Sequence, residues 1–291
     1  MSDAQSSHID NDTKVNVTVW GDNVEVNDAK VPTEQVIMNL PNGRYVDLRT
    51  GEVKNRQKQS EVRTDNLNKV RQTMRNLRRI IGHNFSGLGD ESVLWVTLTY
   101  ATPAENEAQL MPDFELFIRN LRNRFGKLEY LAVIEPQPNR SDLLGMPVWH
   151  LHVLLKYANG ADLTIPNENV AKAWGKGFTK TKRVDSSDNI SAYLMAYLTD
   201  LELPGMEGQF NEKRFKKGLK LYLYPAGIHI YRKSRGIVTP KSERLKMSEV
   251  RQKYDLDGKL GFQKEVQHKI DDERSVTVTT EIYNNVDMPL T

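Results

Sequence analysis

Three short runs of β-branched and aromatic residues constrain the fold of this chain more than any other feature. They are Ser92–Tyr100 (SVLWVTLTY), Tyr130–Glu135 (YLAVIE) and Val148–Tyr157 (VWHLHVLLKY), and each is shorter than a typical helix. Between the first two, apolar residues recur at helical spacing from Asp113, a predicted N-cap, to Gly126, a predicted stop. The sequence therefore predicts strands alternating with helices.

Further elements extend this order. We predict a short helix around Asn167–Trp174, a helix from about Asn189 to Leu201, and another strand within Leu219–Tyr231. The second and third runs suit neighbouring antiparallel strands, because only a loop containing Pro, Asn and Gly joins them. The order β-α-β-β-α-α-β predicts an α+β fold with an antiparallel sheet of about five strands, flanked by helices.

Composition and periodicity divide the chain into four segments. The predicted boundaries are 1–59 for a polar leader with candidate hairpins at residues 21–23 and 42–43, 60–88 for a basic amphipathic helix, 89–240 for the main domain, and 241–291 for a charged appendage. Within the appendage, Ser275–Tyr283 alternates as a strand does.

The composition excludes several kinds of chemistry. The chain has no cysteine, which removes disulfides, zinc–thiolate sites and thiol nucleophiles and is typical of a reducing cytoplasm. No apolar run approaches the roughly 20 residues that span a bilayer, so we expect a soluble protein without a membrane partner. The formal net charge of +3 is too small to indicate a nucleic-acid partner by itself.

The third strand-like run contains a His-Leu-His sequence. Because side chains alternate along a strand, His150 and His152 point to one face while Leu151 points to the other. Glu135 lies at the end of the preceding run, and an antiparallel return could bring its carboxylate beside the imidazoles. Two His and one carboxylate suit a divalent cation with open positions for phosphate oxygens. The histidines could also be ordinary polar residues on the solvent-exposed face of a half-buried strand.

A tyrosine pair follows downstream in SAYLMAYLTD. Tyr193 and Tyr197 are four residues apart, which places them on one helix face, about one turn from each other. Such a pair usually serves ordinary packing. A phosphodiester polarised by a metal, however, needs a nucleophile, and a phenolate would form a covalent link to the 5′ end.

Three motifs in this order resemble the HUH endonuclease superfamily. TLTY at Thr97–Tyr100 is similar to the first motif, HLH at His150–His152 to the second, and YLMAYLTD at Tyr193–Asp200 to the third, tyrosine-bearing one. The resemblance covers about Ser92 to Pro240. IYRKSRGI, Ile230–Ile237, is similar to the segment after the tyrosine helix in replication initiators of plasmids, phages and single-stranded DNA viruses.

The resemblance implies a rolling-circle replication initiator that nicks and rejoins single-stranded origin DNA through a 5′-phosphotyrosine. It implies Mg²⁺ or Mn²⁺ held by His150, His152 and Glu135, and a nucleophile at Tyr193, Tyr197 or both. In relatives with such a pair, the two tyrosines act in turn. Relaxases place the tyrosine before the histidines, so the order here favours an initiator or a transposase. A transposase with the same chemistry and a non-catalytic DNA-binding relative are the alternatives.

Two departures from the family pattern leave alternatives open. Relatives carry a lysine beside the tyrosines, where this chain has Ala196 and Asp200. Residues that could supply the missing charge are Lys180, Lys182, Arg183 and the run Lys213–Lys220. The loop before His150 is also longer than usual, so Gln137 is a rival third ligand if the strand continues past Pro136.

Basic segments predict contact with DNA. The helix from Ser60 to Ile81 and the run Asn211–Tyr224 could meet phosphates of the origin duplex or of a single strand, although a solvated face explains a charge run equally well. The candidate DNA-binding residues are Arg71, Arg75, Arg78, Lys180, Lys182, Arg214, Lys216 and Lys217. The chain has no GxxxxGK[ST] sequence, so a host helicase and a host polymerase are the implied partners, in the cytoplasm of a bacterial host.

Overall fold

A computed structural model describes residues 9–30, 37–42, 44–48, 50–55, 67–85, 88, 91–104, 107–146, 148–184, 229–269 and 275–288. The chain divides into two compact units. One contains residues 1–18, 24–61 and 242–291, and the other contains residues 19–23 and 62–241. The predicted tyrosine helix at 189–201 and most of the predicted strand at 219–231 lie outside the described residues.

The strands of the described residues are β1 (Lys14–Trp20), β2 (Asn23–Asn27), β3 (Ile37–Asn39), β4 (Arg44–Asp47), β5 (Val53–Asn55), β6 (Leu94–Tyr100), β7 (Leu128–Pro136), β8 (Trp149–Tyr157), β9 (Gly177–Arg183), β10 (Tyr231–Lys233), β11 (Ser242–Lys246), β12 (Leu260–Lys269) and β13 (Ser275–Tyr283). The helices are α1 (Leu67–Phe85), α2 (Leu110–Phe125), α3 (Pro138–Leu144), α4 (Asn167–Trp174) and α5 (Met247–Lys253), and a 3₁₀ turn, Glu107–Gln109, precedes α2.

The larger unit is built on a five-stranded antiparallel sheet in the order β10-β7-β8-β6-β9. Strands β6 and β7 are joined through α2, and β8 lies between them, which is the split β-α-β arrangement of ferredoxin-like folds. The predicted α+β fold with an antiparallel sheet of about five strands is therefore confirmed. All three strand-like runs that carry motifs form neighbouring strands.

Helices α2 and α4 cover one face of this sheet. The rings of Phe114 and Tyr130 lie 5.1 Å apart between centroids, and those of Tyr100 and Trp174 lie 4.9 Å apart, both edge to face. Phe117 packs against Trp174 at 6.0 Å. This apolar layer covers one side of the sheet.

The opposite face of the sheet carries the two histidines. Helix α1 contacts this face near the end of β8, at Lys156. There the Lys156 ammonium donates to the carbonyl of Asn84 at 2.8 Å and lies 5.5 Å from the ring of Phe85. Burial lowers the pKa of Lys156, and the charge of Glu129 partly offsets this effect. The apolar face of α1, with Leu77 and Ile80 fully buried, is as the helical spacing predicts. The helix ends at Phe85, and residues 60–66 of the predicted helix are outside the described part.

Helix α2 begins earlier than predicted. Its N-cap is Gln109, so Asp113 lies within the first turn. The Asp113 carboxylate instead accepts a hydrogen bond from the Tyr100 hydroxyl at 3.0 Å and lies 3.2 Å from the Lys176 ammonium. Asp113 thus binds a buried phenol and a lysine from other elements of the fold, and it does not cap the helix. Gly126 ends the helix as predicted, with a φ of 87°.

Two further elements differ from the sequence prediction. The connection predicted as a loop between β7 and β8 contains α3, whose first position is Pro138, where a missing N–H does no harm. The Lys/Gly-rich segment after α4 is strand β9, whose side chains alternate between half-buried and exposed. An exposed edge strand lacks the apolar run by which we recognised the other strands.

The smaller unit contains a five-stranded sheet in the order β11-β1-β2-β13-β12 and a three-stranded sheet of β3, β4 and β5. Both predicted hairpins and the predicted strand Ser275–Tyr283 are present. One sheet contains strands from both segments that the sequence separates, 1–59 and 241–291. Strand β1 pairs with β11, and β2 pairs with β13. No helix in the described part of the chain is long and apolar enough to cross a membrane.

Candidate active site

Two rows of directly opposed residues cross the face of the larger sheet that carries the histidines. The first row runs Glu135, His150, Thr99 and Phe178, from β7 to β9. The second runs Val133, His152, Thr97 and Lys180. Opposed residues of antiparallel strands lie on one face. The register therefore brings Glu135 beside both histidines, as the sequence predicts for an antiparallel return.

The TLTY motif holds the two imidazoles. The hydroxyl of Thr97 lies 3.2 Å from Nδ1 of His152, and the hydroxyl of Thr99 lies 3.2 Å from Nδ1 of His150. The two rings stack nearly parallel, with 5.9 Å between centroids. Because each hydroxyl bonds Nδ1, a metal would bind these rings through Nε2, as in other metal sites where a hydrogen bond at one ring nitrogen orients the histidine.

Glu135 and His152 form a buried pair. Oε2 of Glu135 lies 2.9 Å from Nε2 of His152, and the two residues are only 3% and 7% exposed. Trp95 closes one side of His152, edge to face at 5.7 Å. A buried carboxylate needs such a partner to remain charged. In this arrangement a hydrogen bond joins Nε2 of His152 to the carboxylate.

The three donor residues fit a divalent cation by their chemistry, and they lie on the same face of the sheet. Two imidazoles and a carboxylate on one sheet face match the ligands that Mn²⁺ accepts. Within the described ranges, however, no group of three His, Cys, Asp or Glu side chains is already spaced around one metal position. For a cation to bind between Glu135 and His152, the proton of their hydrogen bond would have to leave.

Gln137 has a different position from Glu135. Strand β7 ends at Pro136, and Gln137 is the N-cap of α3. Its backbone N–H donates to the carbonyl of Val148 at 2.7 Å, and its side-chain oxygen accepts from Arg140 at 3.4 Å. The strand does not continue past Pro136, which was the condition for Gln137 as a ligand. Of the two candidates, Glu135 is the one bonded to a histidine.

Tyr193 and Tyr197 lie outside the described residues, as do Arg214, Lys216 and Lys217. A described tyrosine, Tyr231 on β10, is opposed to Val133 in the row of His152. Burial raises the pKa of its phenol, which disfavours the phenolate that a nucleophile requires.

The segment Ile230–Ile237 fastens β10 to the edge of β7. The Ser234 hydroxyl accepts from the backbone N–H of Tyr130 at 2.8 Å, and the N–H of Gly236 donates to the Glu129 carboxylate at 3.1 Å. These contacts give the IYRKSRGI motif a structural role that its sequence does not reveal.

The predicted DNA-binding residues of the described part fall into two groups. Lys180 and Lys182 are exposed on β9, on the face of the histidines. Arg75 is exposed on α1, and the guanidinium of Arg78 lies 5.2 Å from the centre of the Trp20 ring. The backbone of Arg71 is helical, but its side chain is outside the described part.

Sequence reasoning missed the contacts of Thr97 and Thr99 with the histidines and the position of Phe178 in the first row. The signal for the threonines was available: a Thr-x-Thr sequence on a strand has the same two-residue period as His-x-His, so the two pairs can face each other on neighbouring strands. Phe178 carried no such signal, because β9 was not recognised as a strand.

Comparison with known proteins identifies a resemblance for the centre of the chain. Residues 93–202 match a family model described as replication-associated protein ORF2, and they amount to well under half of the 291 residues. No curated protein and no solved structure matches the chain. The matched segment includes β6, both histidines and the tyrosine pair, so the predicted resemblance to replication initiators is confirmed: residues 93–202 are similar to this family of replication-associated proteins.

Proposed function

We propose that this chain is a rolling-circle replication initiator that nicks and rejoins single-stranded origin DNA through a 5′-phosphotyrosine. The observation that carries the proposal is the grouping of His150, His152 and Glu135 on one sheet face, inside the segment that matches a replication-associated family. The match supports a role in replication broadly. The nicking chemistry and the residues that perform it are our proposal.

The residues on the histidine-bearing face of the sheet have separate roles in this reaction. His150, His152 and Glu135 would hold Mg²⁺ or Mn²⁺, which supplies charge stabilisation to the scissile phosphate. Thr97 and Thr99 fix the ring orientation through Nδ1. Burial of Glu135 keeps water from competing for its carboxylate.

The covalent step uses a phenol from the third motif. The phenol of Tyr193 or Tyr197 gives up its proton, and its oxygen forms a bond to the scissile phosphorus. The bond from phosphorus to the 3′ oxygen breaks, and that oxygen takes up a proton. The products are a 5′-phosphotyrosine and a 3′ hydroxyl that primes synthesis by a host polymerase. The phosphotyrosine keeps the bond energy, so rejoining needs no nucleotide.

A covalent adduct is the direct test of this proposal. Both strands of the replicon that encodes the chain, labelled and cut into fragments, are incubated with the full-length protein and Mn²⁺ and separated on a denaturing gel. We expect an adduct with one strand only. We expect the Tyr193→Phe, Tyr197→Phe double variant to form none, and each single variant to show which tyrosine acts first.

A matched control is Tyr157→Phe on β8, which removes a phenolic hydroxyl from the sheet and leaves the third motif unchanged. It should form the adduct as the wild type does. No adduct with any origin strand would instead favour the non-catalytic DNA-binding relative, whose support is the absence of lysine at Ala196 and Asp200. An adduct that survives in the double variant would show that the nucleophile is elsewhere.

A further inference from the structure

An exposed aromatic ring lies in the row of the candidate metal ligands. Phe178 is 69% exposed on strand β9, the edge strand of the sheet next to β6. It is opposed to Thr99, which is in turn opposed to His150. Neighbouring strands are spaced about 4.8 Å apart, so the backbone of Phe178 is about 10 Å from that of His150. The ring thus stands beside the candidate active site, on the same face.

The backbone fixes this position. Gly177 precedes Phe178, and a Cβ on Gly177 would lie 2.3 Å from the carbonyl oxygen of Thr99 and 2.3 Å from the backbone nitrogen of Ala101. The Ala101 N–H donates to the carbonyl of Lys176 at 3.0 Å just before the strand begins. The start of strand β9 therefore packs closely against β6, and this contact fixes the position of Phe178 opposite Thr99. The ring of Phe178 nevertheless remains exposed.

Cations alternate with this ring along the strand. Lys180 and Lys182 follow at two-residue intervals, so both share the face of Phe178, and both are exposed. An aromatic ring beside two ammonium groups suits a strand of nucleic acid, whose bases stack on rings while its phosphates meet the cations. A protein partner would be better served by an apolar surface than by a strand of the sequence FTKTKR.

We propose that Phe178 stacks on a base of the single-stranded DNA next to the scissile phosphate, and that Lys180 and Lys182 contact the neighbouring phosphates. This inference rests on the proposed function, because it concerns the same substrate and the same sheet face. It adds Phe178 as a positioning residue: stacking holds the strand in register with the histidines without reading its sequence.

Binding to single-stranded DNA without metal tests the inference. The probe is an oligothymidine of about 20 nucleotides carrying one fluorescent 2-aminopurine, and affinity is measured by anisotropy with the full-length protein. Because stacking of one base contributes on the order of a tenfold change in affinity, we expect Phe178→Ala to weaken binding about tenfold. Phe178→Trp should restore it, and Phe178→Leu should not, since leucine has no face on which a base can stack.

The salt dependence separates stacking from charge. Removing a phosphate contact lowers the slope of log affinity against log salt by about 0.7 for a single strand, so Lys180→Ala and Lys182→Ala should each flatten it. Phe178→Ala should leave the slope unchanged. Leu116→Ala, which shortens another exposed apolar side chain on α2, is the control and should bind as the wild type does.

The outcomes distinguish this inference from the proposed function. Wild-type affinity of Phe178→Ala together with a normal covalent adduct would overturn the role of Phe178 and leave the nuclease intact. If the wild type forms no adduct with any strand and Phe178→Ala weakens binding, the stacking surface is supported and the nuclease is rejected. Wild-type affinity for single-stranded DNA in Phe178→Leu would show that stacking is not needed. It would indicate an apolar contact with another protein and would also overturn the inference.

Discussion

The two ends of strand β7 each carry a buried glutamate on the same face, and they differ in their partners. Glu129 and Glu135 are six residues apart, and they are 5% and 3% exposed. Glu129 accepts a hydrogen bond from the backbone N–H of Gly236. Glu135 is bonded to Nε2 of His152. Burial and residue type are nearly equal at the two ends, so neither distinguishes a site from a structural contact.

The partners do distinguish them. A backbone N–H keeps its proton and is a permanent donor, so Glu129 is part of the structure that fastens β10. An imidazole nitrogen can release its proton and bind a cation instead, which is what the proposed metal site requires of the pair of Glu135 and His152. A buried carboxylate on this strand thus indicates chemistry only where its partner can exchange. Four predictions test this division.

The largest effect is expected at the histidine end. His150→Ala removes one of the two imidazoles and should abolish cleavage of single-stranded origin DNA. Little loss of duplex binding is expected, because we expect basic residues of helix α1, such as Arg75 and Arg78, to contact the duplex. Cleavage is measured with Mn²⁺ on labelled DNA and duplex binding by gel shift. His83→Ala, on the exposed side of α1, should cleave normally. Unimpaired cleavage by His150→Ala would refute the metal assignment.

A smaller loss is expected from Thr97→Val, which keeps the shape of the side chain and removes the hydroxyl bonded to His152. Partners that orient a metal ligand typically contribute about 10- to 100-fold in metal affinity or activity, and we expect a loss in that range. Titration of cleavage with Mn²⁺ measures it. Thr97→Ser retains the hydroxyl and should recover most of the activity; equal losses in both variants would point to packing instead.

At the other end of β7, Gly236→Ala should affect stability and spare the chemistry. A Cβ there would lie 2.3 Å from the Glu129 carboxyl carbon, so the buried carboxylate must move, at a cost of about 1–3 kcal/mol. Denaturant unfolding measures the change. Arg235→Ala, at the exposed neighbouring position, should stay within about 0.5 kcal/mol of the wild type. A stability loss of the same size in both would contradict the crowding argument.

The smallest effect is expected from Ser234→Ala. It removes the hydroxyl that accepts from the Tyr130 N–H and should cost about 1 kcal/mol in the free energy of unfolding, while cleavage by the remaining folded protein stays normal. Thermal melting followed by an activity assay below the transition measures both. A specific loss of cleavage at full stability would place Ser234 with the histidine end and contradict the division.

Much of the fold was predictable because buried strands and amphipathic helices have strong periodic signals. Strands β6, β7 and β8 and helix α4 follow directly from their apolar patterns. Strand β9 was missed because an edge strand with one exposed face can be polar. Asp113 was misassigned because its sequence position suits a cap, whereas a buried hydroxyl on β6 binds its carboxylate.

For the candidate site, the sequence alone established that His150 and His152 share a face, since strand alternation requires it, and it indicated Glu135 as their companion. The folded sheet was needed to show that Glu135 bonds His152, that Thr97 and Thr99 hold the rings, and that Phe178 stands in the same row. Alternation is a property of one strand, whereas register between strands depends on the packing of the whole sheet. For the same reason, only pairing between strands far apart in the chain joins β1 and β2 to β11 and β13 in one sheet.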